Sequence, residues 1–584
     1  MRLKLKMNIK YQLYLLFFLF NGILISAQSN EKPDTTATIL YNGKIFTANV
    51  IQPFANAVII KNERILAVGN LEEIKKMAGN TARMMDLKGR VLLPGFVDSH
   101  NHAVEGGTTL SVPYVFEELL TPDSLAAYAK KIINSKQGMY GDVVMIDGIN
   151  ITTWSDIPAL QRIFNHGFFA GQPVMLSGSD GHTAWANYAM LQRAGITSNF
   201  IKSLSLTDRN YYGIDPGGEP NGFVADAGMK NLNAVLPKPD IDIHQSAVKA
   251  VEYCNQKGIT AWLDPAAVRT AKDTSFSNLD AYAWLASNNR LSAHVAALVV
   301  ADANGDPAQQ IASIKTIQKK YNNGDHLHVP GFKIFADGVI EFPSQTAALS
   351  IPYKNSGKKG DLLFDPAKFA AFATAADSAG LLVHVHAIGD RAVTETLNGF
   401  EKTRIKNGNS GIPHTITHLQ IVLPADFYRF NQLNVLASFQ LLWAFGDVTS
   451  VDIVQPFIDA SLFQWQYPAR SLLQAGALIC GASDWPVTSA DPLEAIQRAE
   501  TRKGPLGVLD SSQCMPRLTM LYAYTINAAK ALMMDKMIGS IEPGKYADMI
   551  LLDKDILTIP VKEVSDAKVV WTMFKGKLVY RLNE

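Results

Sequence analysis

Apolar and polar residues alternate through the first part of the chain. "TILYNGKIFT" and "AVIIKNERILAVG" each read as short, half-buried strands joined by the turn formers "NG" and "NER". "RMMDLKGRVLLPGFVDSH" carries the same texture to His100, and the C-terminal end repeats it in "GSIEPGKYADMILLD" and "AKVVWTMFKGKLVYRL". Between these ends the pattern changes. Apolar runs ("GITAWLDPAA", "SAHVAALVVAD", "VPGFKIFADG", "GLLVHVHAIGD", "HTITHLQIV", "NVLASFQ", "ALICGASDWPV") alternate with helical patterns such as "FAAFATAADSAG" and "PLEAIQRAETR". Strand followed by helix, many times over, predicts an α/β fold with a parallel sheet. At 584 residues the leading form is a (β/α)8 TIM-like barrel. The strand-rich ends, residues 37–92 and 540–584, predict one small β-domain beside a barrel of residues 93–539. Residues ~110–245 exceed what one βα unit needs, and read as an insertion after the first barrel strand.

The start of the chain follows other rules. Arg2, Lys4, Lys6 and Lys10 precede the apolar "YQLYLLFFLFNGILI", and Ile25-Ser26-Ala27 follow it. This is the three-part pattern of a secretory signal peptide over residues 1–27, with a polar linker at 28–36. The apolar run is short for a span and Asn21-Gly22 interrupts it, so a retained membrane anchor is the weaker reading. The expectation is an exported protein, periplasmic or secreted, with no membrane contact after cleavage. Cys254, Cys480 and Cys514 are too few and too widely spaced for a disulfide framework or a cysteine zinc site.

Composition adds limits. A hydrophobic content of 47% supplies ample core, and a net charge of +1 gives no electrostatic basis for binding nucleic acid. A small-molecule substrate is the expected partner, with a homodimer favoured only by the general frequency of such symmetry.

The candidate chemistry sits at predicted strand ends, where barrels carry their active groups. His100 and His102 close the first strand two positions apart, so both side chains share one face. His-x-His recurs at 326/328 and 384/386, and no single instance is specific. Lys333 lies inside the apolar "GFKIF". It either pairs with Asp337 or is held neutral by burial. A neutral amine there can take up carbon dioxide as a carbamate, an anion able to bridge two metals. "HTITHLQIV" supplies His414 and His418, and Asp484 ends the last strand. One oxygen of such an aspartate can bind metal while the other accepts a proton.

Taken in chain order, "GFVDSHNH", "SGSDGHTAWAN", "FKIFADGVIE", "HAIGDRAV", "HTITHLQIV", "ASDWPV", "YTINAAKALMM" and "GSIEPGKYADMILLD" resemble the amidohydrolase superfamily. The wording is similar to the family-3 branch that contains N-substituted formamide deformylase. The resemblance covers residue 40 onward. It implies a barrel with a β-sandwich made from both chain ends. It also implies two divalent metal ions, zinc first, held by His100, His102, Lys333 as a carboxylated lysine, His386, His418 and Asp484. His182, His384 and Arg391 are then expected on the substrate side, with His384 and His414 alternatively placed behind the metal ligands. His326 and His328 are expected in the loop before the lysine strand. "MIDGIN", residues 145–150, departs from the branch's wording for the second barrel strand.

The implied reaction is hydrolysis of a carbon–nitrogen bond in a non-peptide amide or formamide by a metal-activated water, with Asp484 moving the proton. Three alternatives stay open: an ester or lactone hydrolase on the same site, a mononuclear deaminase-like enzyme with Lys333 unmodified, and a non-catalytic secreted binding protein.

Overall fold

The computed structural model describes residues 36–583, apart from 79–80, 111, 113, 116–119, 137–138, 238–241, 270–277, 323 and 325. The signal peptide and nearly all of the expected linker lie outside the described residues.

Eight parallel strands form the central sheet: Phe96–Asp98, Ile259–Val268, His294–Val300, Leu327–Phe335, Leu382–Ala387, Thr415–His418, Leu436–Phe439 and Ile479–Gly481. They pair in that order. The ring is nearly closed where the Ser99 N–H donates to the Gly481 carbonyl at 3.0 Å. Helices such as Pro366–Ser378 and Asp390–Asn407 cover the outside. Strand residues that face them, Phe332, Val383 and Val385 among them, join Phe369, Phe372 and Leu397 of the helices in one large core. Fully buried strands explain the near-continuous apolar runs in the sequence.

Both chain ends build a second sheet of eight strands. Its path runs Lys577–Arg581, Val569–Phe574, Met549–Leu552, Val91–Pro94, Thr38–Phe46, Phe54–Lys61, Arg64–Gly69, with Arg83–Asp86 pairing beside Thr38–Phe46. Leu40, Val58 and Leu92 share one core with Met549, Leu551 and Trp571, so residues more than 500 positions apart in sequence bury each other. Gly95 alone separates this sheet from the first barrel strand. A Cβ there would lie 2.2 Å from Thr260 Oγ1, so only glycine fits the crossing. The Gly95 N–H donates to the Asp548 carbonyl at 2.9 Å, and buried Asp548 also bonds His294 Nε2 of the third barrel strand at 3.0 Å.

The insertion between the first and second barrel strands is an α/β unit. Its sheet has the order Tyr212–Ile214, Pro220–Ala225, Thr183–Ala186, Val174–Gly178, Val144–Ile149. Successive side chains point to opposite faces. Val174 and Leu176 therefore join Leu160 and Phe164 in one core, while Met175 joins Met190 and Leu191 in another. This arrangement corrects the reading of "MIDGIN". Most of that segment falls in Val144–Ile149, an edge strand of the insertion, and the second barrel strand is Ile259–Val268. The two segments are similarly apolar, and periodicity alone does not separate them.

Candidate metal centre

At the carboxyl ends of the barrel strands, the loops after the first and eighth strands are bonded to each other. The Asp484 N–H donates to the His100 carbonyl at 2.8 Å and the His102 N–H to the Trp485 carbonyl at 2.9 Å. Buried Asp98 holds both loops. Its Oδ1 accepts the N–H groups of His100 and Ser483, each at 3.1 Å, and its Oδ2 accepts Ser483 Oγ at 2.6 Å and Asn101 Nδ2 at 3.0 Å. His100 Nε2 and His102 Nε2 each lie 3.3 Å from Asp484 Oδ1, and His418 Nδ1 lies 3.8 Å from Oδ2. Ligand atoms of His100, His102 and Asp484 fall within 4.8 Å of one another, a spacing one cation can bridge.

The remaining groups gather against this cluster. The ring centres of His100 and His418 are 5.0 Å apart, and those of His386 and His418 are 4.5 Å apart. Each imidazole has an orienting contact. His100 Nδ1 meets His384 Nε2 at 2.7 Å, His386 Nε2 meets the Gly338 carbonyl at 3.0 Å, and His418 Nδ1 meets Gln440 Oε1 at 3.1 Å. These contacts leave His100 Nε2, His386 Nδ1 and His418 Nε2 available, the arrangement that metal-ligating histidines use. Asp484 and His418 both adopt left-handed backbone, φ 57° and 76°. Such conformations cost about 1–3 kcal/mol each and gather at functional sites.

Lys333 is buried on the fourth strand, its Nζ 4.9 Å from the centre of the Phe335 ring. Burial pushes its ammonium down to about 7, against the raising charge of Asp484. Asp337 is committed elsewhere, accepting the N–H groups of Ala348, Ile388 and Gly389. Burial pushes Asp484 up, but His100, His102 and His418 outweigh it and hold the carboxylate well below its usual range. Burial, followed by the charge of Lys333, lowers His100 to about 3.

The structure separates the three substrate-side candidates. His182 stands in the turn between Val174–Gly178 and Thr183–Ala186, and lines a cavity of about 400 Å3 together with His386, His418 and Asp484. Burial lowers its pKa, but the hydrogen bond to Asp226 (Nδ1 to Oδ1, 2.8 Å) and that residue's charge raise it to about 9. His384 does not line this cavity. It precedes His386 by two residues, hence roughly 6.6 Å deeper in the barrel, where it bonds His100. Arg391 lines a neighbouring cavity and donates to the Gly360 carbonyl at 2.9 Å. His414 lies away from the cavity, its Nε2 on Asp377 Oδ1 at 2.9 Å and its ring stacked on Phe400. His328 is not in a loop. It belongs to the start of the fourth strand, at the opposite end of the barrel, and bonds the Leu532 carbonyl at 3.0 Å. His326 precedes that strand and stacks on His294.

Sequence patterns did not single out Asp98, Gln440, Asp226 or Glu341. Glu341 lines the cavity and accepts Gln420 Nε2 at 3.0 Å, and burial raises it to about 7. Trp443, stacked on His418, lines the cavity as well.

A barrel with histidines and an aspartate converging at its carboxyl end defines the class of metal-dependent hydrolases. Residues 83–580 match the model of the amidohydrolase family, and the chain belongs to that family. It is 29% identical over 554 residues to Protein LONG AFTER FAR-RED 3 of Arabidopsis thaliana, covering 93% of this chain and 91% of that one. It is 25% identical over 568 residues to N-substituted formamide deformylase of Arthrobacter pascens, covering 93% and 98%. Among solved structures, an uncharacterized metal-dependent hydrolase from Pyrococcus horikoshii shares the fold, with a TM-score of 0.67 at 24% identity, over 90% of this chain and 99% of that one.

Membership implies a divalent metal, and the residues fit one. Among the described residues, buried Asp484 Oδ1 has no hydrogen-bond partner, although it sits between two imidazole nitrogens. A cation among these three groups satisfies the orphaned oxygen.

Proposed function

We propose that the protein hydrolyses a carbon–nitrogen bond in a small non-peptide amide or formamide. The observation that supports this reading is the cluster of His100, His102 and Asp484 at one end of the barrel, with the rings of His418 and His386 against it and buried Lys333 near enough for its charge to act on His100, beside a cavity large enough for a small molecule. In this reading His100, His102 and Asp484 hold one divalent ion, and His386 and His418 hold a second. Zinc suits this donor set. Lys333, as a carbamate, would supply an anionic ligand to the two ions. The amine nitrogen bonds the carbon of carbon dioxide and releases one proton, leaving an anion where an ammonium is disfavoured by burial.

Bound metal supplies Lewis acidity and makes water nucleophilic near neutral pH. Asp484 receives the proton of the attacking water and returns it to the departing nitrogen. His182, cationic and fixed by Asp226, donates a hydrogen bond to the oxygen that gains negative charge. Trp443 presents an apolar wall to the substrate. The resemblance to the formamide deformylase favours formyl and other short acyl groups on nitrogen. Export, with cleavage before Gln28, and a homodimer complete the proposal.

The test is a screen of metal-reconstituted protein against N-formyl, N-acyl, cyclic amide and ester compounds. The expected result is turnover of carbon–nitrogen compounds, abolished by a chelator and restored by zinc. Hydrolysis confined to esters or lactones would replace this reading with the ester hydrolase. Two ions per chain are expected in the parent, and about one in His386→Asn and His418→Asn. One ion in active parent, with Lys333 unmodified, would favour the mononuclear alternative.

A further inference from the structure

A second cavity of about 850 Å3, roughly twice the volume of the catalytic one, lies between the insertion and the segment after the fourth barrel strand. The two are linked by bonded residues that line one cavity each. Asp226 lines the second cavity and bonds His182, which lines the first, and Gly338 lines the second while its carbonyl accepts from His386. Asp226 is also joined to His182 through its backbone, its N–H donating to the His182 carbonyl at 2.8 Å.

The charge of this cavity is one-sided. Arg209 and Arg391 line it half-buried, and Lys358 and Lys359 line it exposed. Its acids are Asp226, whose Oδ1 is bonded to His182 while its buried Oδ2 has no partner among the described residues, and the exposed Asp361. The four cations contact neutral oxygens. Arg209 donates to the carbonyls of Leu204 and Lys202, Lys358 to Asn210 Oδ1, Lys359 to the Ser350 carbonyl and Arg391 to the Gly360 carbonyl. Among the described residues none of the four forms an ion pair with a carboxylate, and the buried Nε of Arg391 has no acceptor. Carbonyl contacts orient a guanidinium or ammonium without neutralising it. Two arginines and two lysines lining one half-open cavity offer donors for a charged, multidentate acceptor.

We propose that this second cavity binds a small anion bearing a carboxylate or phosphate group, at a site separate from the catalytic one and adjoining it through the Asp226–His182 pair. Arg391 and Arg209 supply directed donors within the cavity, and Lys358 and Lys359 supply charge at its rim. An anion there faces the carboxylate of Asp226, so its occupancy is felt at the group that positions His182. The proposal concerns binding and does not depend on which bond the catalytic site cleaves.

The test is calorimetric titration of the full, metal-loaded protein with inorganic phosphate and, separately, succinate, at constant ionic strength. One saturable site per chain is expected for at least one of them, and the tighter-binding anion tells phosphate from carboxylate recognition. Lys358→Gln and Arg209→Gln should each weaken binding at least fivefold, and Arg391→Gln further. His418→Asn, altered in the catalytic cavity, should bind as the parent does. Lys358 is exposed, so its variant decides the matter even where Arg391→Gln fails to fold. The proposal is overturned if neither anion saturates, if Lys358→Gln and Arg209→Gln bind unchanged, or if His418→Asn abolishes binding.

Discussion

Replacing Gln440 by leucine removes the acceptor that fixes His418. Gln440 is fully buried, its Oε1 accepts from His418 Nδ1 at 3.1 Å, and its Nε2 donates to Thr417 Oγ1 at 3.2 Å. While Nδ1 carries the proton, Nε2 keeps its lone pair for a metal. Leucine preserves most of the volume and none of the acceptor. In the metal-free protein the imidazole can shift its proton to relieve the loss. In the metal-bound protein it cannot, so the unsatisfied Nδ1–H opposes binding. A stranded buried donor costs about 1–3 kcal/mol, which at about 1.4 kcal/mol per tenfold corresponds to a loss of about 5- to 140-fold in metal affinity. Gln440→Glu retains the acceptor and should stay within about threefold of the parent, well below the cost of a stranded donor. The assay is chelator competition with metal counting, run beside hydrolysis at rising metal concentration, where Gln440→Leu should recover activity as metal is added. His414→Gln, at the Asp377 end of the fold, is the control and should bind metal normally. A Gln440→Leu variant that holds its metal as tightly as the parent would refute the orienting role.

Further expectations follow from other contacts. Lys333→Ala should lose metal and activity together and regain part of both with short carboxylic acids, whereas Lys333→Arg should not be rescued, because guanidinium stays protonated; native mass measurement of the parent should show the added carbon dioxide, and an unmodified amine in fully active enzyme would count against the bridge. His294→Ala leaves Asp548 buried without its imidazole partner, and denaturant unfolding should show a loss of about 3 kcal/mol; an unchanged midpoint would mean the contact does not tie the two sheets. Burial raises Asp377, but hydrogen bonds from His414, Ser410 and Asn407 outweigh it and hold its pKa below the ordinary 3.8. The folded chain therefore favours the ionised form, a contribution present above 3.8 and lost as pH falls through the folded value. Melting curves of Asp377→Asn should be less steeply pH-dependent below 3.8 than those of the parent.

The barrel was legible from local rules, whereas the set His100, His102, Lys333, His386, His418 and Asp484 came from the family resemblance carried by the order of the motifs. Buried parallel strands read as apolar runs, and i, i+2 spacing puts paired histidines on one face. The residues that orient them were not legible. Asp98 acts on Ser483, 385 positions away, and Gln440 on His418 across neighbouring strands. In sequence each is a polar residue at a strand end, indistinguishable from a turn former. Depth along a strand was equally hidden. His384 and His386 look equivalent, yet one bonds His100 and the other borders the cavity. The insertion was visible by its length, while its five-stranded sheet depended on pairing that no single segment encodes.

The sheet built from both ends also sets a schedule for the nascent chain. Val91–Pro94 pairs with Met549–Leu552, so roughly 450 residues must be synthesised before that neighbour exists. At about 5–20 residues per second, the wait is on the order of a minute. Throughout it, Leu40, Val58 and Leu92 lack the apolar surface of Met549 and Trp571 that finally covers them. One edge of Val91–Pro94 stays unpaired for as long, open to any other extended chain that can bond to it. The same connection that ties the two sheets together thus leaves a chain cut short before Met549 with an open strand edge and an uncovered apolar face.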